Sequence, residues 1–492
     1  MGRKGQPLKS RKPAKTKNQR NKVSKEEKEI QENVDKLLRI STIPQQGNVV
    51  NALKNQKEIS AIVEQVKKLE INKDSKSSAD NRASGATIEN FTKWVKENGA
   101  QFNGCTITEF KGYDLGIKVN TDIPQSTLVL AIPRKVMLTV ERASDSILKN
   151  LIKNDQILKN MPNVALAIYL LLEKFTDNSF WKPYLDILPK SYTTVLYFTI
   201  EELEELKGSP TLEIALRQIK SIARQYAYFH KLFSTSDDPV CQIMQEKFTY
   251  NQYCWAVSTV MTRQNTIPAV NSDQMINALI PLWDLCNHTN GTISTDFNPQ
   301  LDQCECLALR DFKKNEQLFI FYGARSNADL FIHNGFVFDD NEHDGYWIKL
   351  GIGRTDPLQE KRLEVLRKLS INGSADFVIK KGARPVDGKL LAFLRVFNMN
   401  QEQLDHWLES DKTADLEYIE CALDTVLEKK SWTYLQDRLK LLMASYKTTL
   451  EEDLKLIKTD ITDNRKLAVK MRISEKIILK ETVEYIEQYI TQ

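Results

Sequence analysis

The spacing of apolar positions divides the chain into helical and strand-like regions. From residue 24 to about residue 69, apolar residues recur every three or four positions, a period that predicts amphipathic helices. A polar linker rich in Ser, Asp and Lys follows at residues 72–85, and another amphipathic helix is predicted to begin at Thr87. Residues 106–119 and 127–133 alternate or run apolar, as strands do.

A long helical block interrupts the strand-like part of the chain. Between about residues 143 and 253 the period is helical, and residues 199–202 (T-I-E-E) form a capping box that begins a helix. Strands are predicted again after the block, at residues 278–282, 294–297, 304–309 and 318–322. The pattern therefore predicts a β-rich domain that contains an all-helical insertion.

The C-terminal part of the chain is predicted to be helical. After Gly345 the apolar period is again three to four, and residues 449–452 (T-L-E-E) form a second capping box. We therefore expect an α+β protein whose C-terminal domain is all-α. The predicted regions are a basic tail at 1–22, a helical segment and linker at 23–84, the β-rich domain at 85–345 with its insertion at about 143–253, and the helical domain at 346–492.

The charge is unevenly distributed along the chain. The formal net charge of the 492 residues is +4, but residues 1–22 hold nine of the 69 Lys and Arg residues and no acidic residue. The rest of the chain is therefore slightly acidic. Such a basic segment is expected to be disordered and is usually a solvated tail, with a nuclear-import or nucleic-acid-binding arm as the functional alternative. No other part of the chain predicts nucleic-acid binding.

Cysteine usage and hydropathy exclude several classes of protein. The seven cysteines include no C-x-x-C pair, so we expect no metal site and reduced thiols. The basic start is followed by no apolar signal-peptide core, and no run of 18 apolar residues predicts a membrane span. These features predict a cytoplasmic protein without a membrane partner, with the nucleus as a second location.

Two segments concentrate the candidate chemistry. Residues 279–291 (L-I-P-L-W-D-L-C-N-H-T-N-G) run from an apolar stretch into a polar corner, and residues 317–325 (Q-L-F-I-F-Y-G-A-R) form a strand that ends near Tyr322. An N-H dipeptide or a strand-end tyrosine is by itself more often a turn or a packing residue. No P-loop, G-x-G-x-x-G or Ser-His-Asp set is present.

Together these segments resemble the second half of a SET methyltransferase domain, and residues 111–119 (K-G-Y-D-L-G-I-K-V) resemble its first half. The helical insertion and C-terminal helices are similar to the Rubisco large-subunit lysine methyltransferases. Within that family, M-T-R-Q-N at 261–265, W-D-L-C-N-H-T-N-G at 283–291 and F-Y-G-A-R-S-N at 321–327 resemble the actin-histidine N-methyltransferase branch. The resemblance extends over about residues 85–475.

The resemblance implies S-adenosylmethionine as cofactor and Tyr322 as a catalytic residue that faces the transferred methyl group. Asn334 stands where the branch has Ser, and either side chain can form hydrogen bonds. Arg82 would add a charge toward the donor carboxylate. The implied donor-binding residues are Arg82, Tyr113, Asp114, Leu115, Arg263, Asp284, Leu285, Cys286, Asn287, His288 and Asn334.

The acceptor is inferred from proton chemistry. A lysine amine must lose a proton at neutral pH, which costs about 4–5 kcal/mol, whereas an imidazole is mostly neutral and needs only the correct tautomer. A hydrogen bond to one ring nitrogen would therefore orient a histidine, and Asn265 could make that bond unless it caps the loop before Pro268. The Asp284 carbonyl could bind the nitrogen that carries the proton.

The resemblance implies an enzyme that methylates the tele nitrogen of an actin histidine, with Asn265 and Tyr322 as catalytic residues. A monomer is expected. A lysine methyltransferase of the same fold and a non-catalytic SET-fold binding module remain alternatives. The substrate-binding candidates are Gln264, Asn265, Trp283, Asp284, Arg224 and Arg325.

Overall fold

The computed structural model describes residues 25–44, 49–73 and 81–491. The basic tail predicted at residues 1–22 lies outside this part of the chain, as do residues 74–80 of the predicted linker. The amphipathic helices predicted before the linker are confirmed as α1 (Lys25–Thr42) and α2 (Val49–Glu70). Their buried faces belong to the same apolar core as the central domain.

The first β-rich part begins after a capped helix. Helix α3 (Gly85–Glu97) buries Phe91 and Trp94 and begins two residues before the predicted start at Thr87, because the hydroxyl of Ser84 accepts a hydrogen bond from the Thr87 N–H and caps the helix. The strands that follow are β1 (Gln101–Phe102), β2 (Cys105–Phe110), β3 (Asp114–Val119), β4 (Leu128–Pro133) and β5 (Leu138–Thr139).

The predicted all-helical block is present between the two β-rich parts, and its capping box at Thr199 is confirmed. Its longest helix buries Tyr226 and Phe229 in the core. The helices are α4 (Val140–Asp145), α5 (Lys149–Asn154), α6 (Gln156–Asn160), α7 (Pro162–Phe175), α8 (Lys182–Ile187), α9 (Ile200–Glu204), α10 (Pro210–Thr235), α11 (Pro239–Lys247) and α12 (Tyr250–Arg263).

The second β-rich part pairs with the first. Its elements are β6 (Gln264–Pro268), β7 (Met275–Leu279), β8 (Asn287–His288), β9 (Thr295–Asn298), β10 (Gln303–Leu307), β11 (Gln317–Ile320) and α13 (Asn327–Asp329). The strands form three sheets in the orders β1-β4-β10-β9, β2-β3-β11-β8 and β5-β7-β6. Each sheet therefore combines strands from before and after the insertion, which shows that the two parts form one domain.

The C-terminal region differs in one respect from the all-α prediction, because it also contains an antiparallel strand pair. In the strand β12 (Gly345–Gly351), Tyr346, Ile348 and Leu350 are buried while Trp347 and Lys349 are exposed, an alternation of period two that the helical prediction overlooked. The elements after β12 are α14 (Gln359–Lys368), β13 (Ser374–Lys380), α15 (Gly388–Asn398), α16 (Gln401–Glu409), α17 (Thr425–Ala444), α18 (Leu450–Leu456) and α19 (Asp463–Ile490).

Helix α19 connects the C-terminal region to the rest of the molecule. Its first half contributes Ala468 and Met471 to the large central core, and its second half contributes Ile478 and Leu479 to a separate C-terminal core. The capping box predicted to begin α18 at Thr449 is confirmed. Among the described residues no helix has the length and apolar character needed to cross a membrane.

Candidate active site

Two cavities meet inside the central domain. The small cavity, of about 360 Å³, is lined by residues 261–268 and by side chains such as Trp283 and Phe297. The large cavity, of about 890 Å³, is lined by segments that include Gly112–Leu115, Asn287 and Phe336. The residues that line both cavities, called the junction below, are Thr262, Arg263, Asp284, Tyr322 and Asn334.

The fold brings the junction residues together from distant parts of the sequence. Helix α12 ends at Arg263 and leads directly into β6, which pairs with β7. After β7 the chain reverses at Leu282, with φ +75°, into a 3₁₀ turn at Trp283–Leu285 and then into β8. Strand β8 runs parallel to β11 and pairs Asn287 with Phe319 and His288 with Ile320, so the residues that follow β11 begin next to His288.

Tyr322 is held at the junction by two hydrogen bonds. Its hydroxyl donates to the Cys286 carbonyl at 2.7 Å, and its backbone N–H donates to Nδ1 of His288 at 3.2 Å. Burial raises the pKa of Tyr322 above its ordinary value, so the phenol stays protonated. The strand itself ends at Ile320, two residues before the predicted end, because Tyr322 turns to follow β8 instead of continuing the sheet.

His288 packs among aromatic rings and does not titrate near neutral pH. The residue is 5% exposed, and its ring lies 5.0 Å from the Phe338 ring and 5.1 Å from the Tyr322 ring, measured between centroids. Burial lowers the pKa of His288 to about 4, so the imidazole is neutral at physiological pH. A neutral ring suits a wall that faces a cationic ligand.

Two of the junction residues, Arg263 and Asp284, form a buried ion pair. Arg263 Nη1 donates to the Asp284 carbonyl at 2.7 Å and lies 3.3 Å from the Asp284 carboxylate, which also accepts from the Tyr184 hydroxyl at 2.6 Å. Burial raises the pKa of Asp284, and Arg263 opposes that effect. Within the described chain, Asp284 Oδ1 and Arg263 Nε are buried and have no hydrogen-bond partner. Two polar atoms at the junction are therefore available to a ligand.

The large cavity fits the S-adenosylmethionine that the sequence predicts. It combines the aromatic side chains of Tyr113 and Phe336 with a charged end, where Arg82 Nη1 lies 3.1 Å from the Asp114 carboxylate. The Asn287 amide donates to the Leu115 carbonyl at 3.3 Å and so joins β8 to β3. Aromatic, ionic and backbone groups thus line one cavity of sufficient size.

The small cavity has the polar groups that could orient an imidazole. The Asn265 Oδ1 accepts from the Thr266 N–H at 2.8 Å, and its Nδ2 donates no hydrogen bond within the described chain. Gln264 accepts from Asn277 at 2.8 Å, and the Trp283 indole donates to Thr295 at 3.0 Å, so both side chains are fixed. The Asn265 side-chain amide can therefore form a further hydrogen bond with an occupant of this cavity.

The structure brings most of the predicted site residues together. Gln264, Asn265, Trp283, Cys286 and Arg325 line the small cavity. Those that line the large cavity are Arg82, Tyr113, Asp114, Leu115, Asn287 and His288, and Arg263, Asp284, Tyr322 and Asn334 line both.

Two predicted residues lie elsewhere. Leu285 is buried in the core and lines neither cavity, and Arg224 is on the exposed side of α10, away from both. The Asp284 carbonyl, to which we assigned a substrate nitrogen, already accepts from Arg263. Among the described residues, no group of His, Cys, Asp and Glu side chains could hold a metal ion.

Several lining residues were not predicted. Thr262 lies at the junction, within the M-T-R-Q-N motif, and could have been identified from that motif. Lys466 and Lys470 of α19 line the large cavity, but they follow the motifs by more than a hundred residues, and nothing in their local sequence indicates a site. Only the packing of α19 against the central domain reveals them.

Comparisons with known proteins agree with this architecture. A SET domain model matches residues 114–323, and a Rubisco LSMT substrate-binding model matches residues 353–479. The chain is 45% identical over 397 residues to the actin-histidine N-methyltransferase of Callithrix jacchus, which covers 80% of this chain and 67% of that protein. The proteins of the same name from Homo sapiens and Gallus gallus are 44% identical over the same shares.

Solved structures confirm the α+β fold class. The crystal structure of the SET domain of LSMT bound to lysine and AdoHcy aligns with a TM-score of 0.66 at 21% identity, over 82% of this chain and 92% of that one. The structure of Rubisco LSMT bound to AdoMet aligns with a TM-score of 0.64 at 22% identity, over the same shares. The chain therefore belongs to the SET-domain methyltransferase family, in the branch of the actin-histidine N-methyltransferases.

Proposed function

We propose that this protein transfers a methyl group from S-adenosylmethionine to the tele nitrogen of a histidine of actin. The observation that carries the proposal is that two cavities of different chemistry meet at Tyr322. Methyl transfer is an in-line displacement, so a donor and an acceptor must approach one point from two sides. The names of the relatives supply the identity of the acceptor protein.

The residues of the chain would position the donor and the acceptor and exclude water from the junction, without forming a covalent bond to either. Bound S-adenosylmethionine would supply the electrophilic methyl group. Arg82 and Asn287 would hold the donor in the large cavity, and the neutral His288 would form a wall without repelling its positive charge. The rings around His288 and Tyr322 exclude water, which strengthens the electrostatic effect of the junction residues.

The polar small cavity favours histidine over lysine as acceptor. The side-chain oxygen of Asn265 accepts from the Thr266 N–H and has a second lone pair that could accept from the N–H of an imidazole, which would fix the tautomer and point the lone pair of the other nitrogen toward the junction. Methyl transfer to the second nitrogen would leave a cationic ring, and Asp284 Oδ1 is a buried acceptor for the proton that the first nitrogen then loses. A lysine acceptor would instead require a group that removes a proton from an ammonium, at a cost of about 4–5 kcal/mol at neutral pH.

Product analysis tests the proposal directly. The protein is incubated with S-adenosylmethionine carrying a labelled methyl group and with monomeric actin, after which the actin is hydrolysed and the labelled amino acid identified. We expect tele-methylhistidine. The Asn265→Ala variant should lower kcat by about tenfold or more because it removes the orienting hydrogen bond. Asn298→Ala removes an amide from β9, outside both cavities, and serves as the matched control.

Three other results would contradict the proposal in different ways. Labelled methyl-lysine would show that the protein is a lysine methyltransferase. If calorimetry shows that S-adenosylmethionine binds but actin acquires no label, the acceptor is another protein. Absence of donor binding would indicate a non-catalytic binding module.

A monomer is part of the same proposal. Both cavities are formed by side chains of a single chain, so a second copy is not needed to complete the site. Light scattering at assay concentration should give a mass near 56.7 kDa. A dimer mass would contradict this part of the proposal alone.

A further inference from the structure

The N-terminal helices form an addition to the matched domains. Helices α1 and α2 precede both family-model matches, the first of which begins at residue 114 and the second at residue 353. They pack on α10 of the insertion, where Lys220 Nζ donates to the Ile43 carbonyl at 2.6 Å and Lys231 pairs with Asp35 at 2.9 Å. The two helices are therefore docked on the insertion at several points.

The last residue of α2 makes the contacts that matter for the site. Glu70 is 1% exposed, and its carboxylate accepts from the Tyr226 hydroxyl at 2.5 Å and from the Tyr250 backbone N–H at 2.8 Å. Tyr250 is the first residue of α12. A carboxylate at this end of a helix satisfies an N–H that has no partner within the helix and interacts favourably with the helix dipole.

Residues near the end of α2 and just after it contact the same part of the insertion. Lys67 Nζ lies 5.5 Å from the centroid of the Tyr250 ring, and Lys73 Nζ donates to the Gln245 carbonyl at 3.1 Å. Gln245 belongs to α11, so the end of α2 spans the connection between α11 and α12. The start of α12 is thus fixed by a segment that lies nearly 200 residues earlier in the sequence.

The other end of α12 reaches the junction. The helix has 14 residues and so is about 21 Å long at 1.5 Å per residue. It ends at Arg263, which contacts Asp284, and the next two residues are Gln264 and Asn265 of the small cavity. A packed helix moves as a rigid body, so a shift at its start is transmitted to these side chains.

We propose that Glu70 is a positioning residue that fixes α12 along its axis and thereby sets Arg263 and Asn265 at the junction. This inference rests on the proposed function in so far as the junction is where methyl transfer takes place. Displacement of reacting groups by about 1 Å can lower a rate by about a hundredfold. Loss of the Glu70 contact should therefore impair catalysis from about 20 Å away.

The test compares a graded series of variants with a destabilised control. Glu70→Ala removes both hydrogen bonds, Glu70→Gln keeps one acceptor oxygen, and Tyr226→Phe removes one of the donors to Glu70 while the contact with α12 stays. Leu53→Ala creates a cavity in the same α2 helix, about 25 Å from Glu70, and destabilises the docking without touching the start of α12. The melting temperature, kcat and the KM for actin are measured for each.

We expect kcat to fall at least tenfold in Glu70→Ala, less in Glu70→Gln and less than twofold in Tyr226→Phe. Leu53→Ala should lower the melting temperature but keep kcat within twofold of the wild type when assayed well below that temperature. If kcat follows the melting temperature across all four variants, Glu70 is only a stabilising residue and the proposal is wrong. If Glu70→Ala does not fold, kcat of Glu70→Gln is compared with kcat of Leu53→Ala. A lower kcat in Glu70→Gln supports the proposal, and an equal kcat contradicts it.

Hydrogen exchange gives a readout that does not depend on activity. Amides in residues 261–268 should exchange faster in Glu70→Ala than in Leu53→Ala, because only the first variant frees α12. Equal exchange in the two variants would overturn the inference. If the wild type does not methylate actin but the exchange difference is present, the proposed function fails and the positioning role stands.

Discussion

At the scale of single residues, the position of Tyr322 depends on what its hydroxyl binds. Because the hydroxyl donates to the Cys286 carbonyl, the ring is fixed across the junction, where it lines both cavities. Its raised pKa, which results from burial, means that it remains a hydrogen-bond donor and not a base. Under the proposed function, Tyr322 would orient the reacting groups, and the acceptor itself would provide a free lone pair.

Removal of this hydroxyl should affect rate more than binding. We expect Tyr322→Phe to lower kcat by about 10- to 100-fold, because the ring loses its anchor at the junction. The dissociation constant for S-adenosylmethionine, measured by calorimetry, should change by less than about fivefold, which corresponds to about 1 kcal/mol. Tyr228→Phe removes a partly buried hydroxyl contact with Asp155 outside both cavities and is the matched control. An unchanged kcat in Tyr322→Phe would contradict the assigned role.

The acceptor residue should determine the pH profile. The pKa of His288 is lowered to about 4 by burial, so this residue stays neutral from pH 5.5 to 9 and adds no step to the profile. A peptide histidine has a pKa of about 6.5 and loses its lone pair when protonated. We therefore expect kcat/KM for an actin peptide to fall about tenfold per pH unit below 6 and to be constant above about 7.5.

A lysine acceptor would give a different profile. With a pKa of about 10.4, its neutral fraction continues to rise by a factor of about ten per pH unit up to pH 9. The same peptide with its histidine changed to lysine serves as the comparison. A profile for the histidine peptide that keeps rising above pH 8 would argue against methylation of a neutral imidazole.

At the scale of elements, the close approach of β3, β8 and β11 shapes the large cavity. A Cβ atom on Gly116 of β3 would lie 2.4 Å from Nε2 of Gln317 in β11 and 3.2 Å from Nδ2 of Asn287 in β8. The absence of a side chain at Gly116 therefore allows the Asn287 amide to reach the Leu115 carbonyl. The spacing of these strands sets where Asn287 can meet a donor.

Substitution of this glycine tests the link between strand spacing and donor binding. We expect Gly116→Ala to weaken binding of S-adenosylmethionine by about five- to tenfold, equivalent to about 1 kcal/mol, because Asn287 and Gln317 must move. Calorimetry measures the affinity. Gly85→Ala, at the start of α3, meets no atom within 4 Å and controls for the chemical change. Equal affinities in Gly116→Ala and the wild type would show that Asn287 does not hold the donor.

Periodicity predicted the elements that have clear amphipathic patterns. The helices α1, α2 and α3 and the capping boxes at Thr199 and Thr449 follow from local sequence, because their physics is local. The strand β12 was missed because its alternation is short and is followed by a long helical region. A few alternating residues do not outweigh the helical period of their surroundings.

The candidate site was predictable where motifs carry it. Asn265, Asn287, His288 and Tyr322 lie in short motifs, and the structure gathers them around the two cavities. The lysines of α19 could not be found, because their place in the large cavity depends on how a distant helix packs. The same reason explains Arg224, which lies in none of these motifs and whose exposure depends on how α10 packs.

At the scale of the whole molecule, Glu475 joins the C-terminal region to the insertion. Its buried carboxylate accepts from Ser209 at 2.7 Å and Thr211 at 2.8 Å, at the start of α10, and from Tyr446 at 2.8 Å, after α17. Burial raises the pKa of Glu475 to about 7, with Asp344 contributing in the same direction. Ionisation of this residue is therefore coupled to the stability of the contact between the two halves.

Stability should consequently depend on pH through Glu475. Its folded-state pKa of about 7 exceeds the ordinary value of 4.5, so between these values the folded state binds more protons than the unfolded state. Stability then falls as pH rises through this window. Glu475→Gln removes this dependence. The difference in the free energy of unfolding between the variant and the wild type should therefore change by roughly 2–3 kcal/mol in favour of the variant between pH 5 and pH 8.

Denaturant unfolding at several pH values measures this difference. Glu481→Gln makes the same chemical change on the exposed face of α19 and controls for the altered net charge. If the difference between wild type and Glu475→Gln is the same at pH 5 and pH 8, the carboxylate does not titrate in this range when folded.

The separate linings of the two cavities have a consequence for the order of events in turnover. Among the described residues, the cavities share only the five junction residues, so a folded protein seated over the small cavity need not cover the rest of the lining of the large one. Neither ligand then has to arrive first, and spent S-adenosylhomocysteine can be exchanged without release of actin. Initial-rate plots at several fixed concentrations of each substrate should therefore intersect, as they do for a random sequential mechanism.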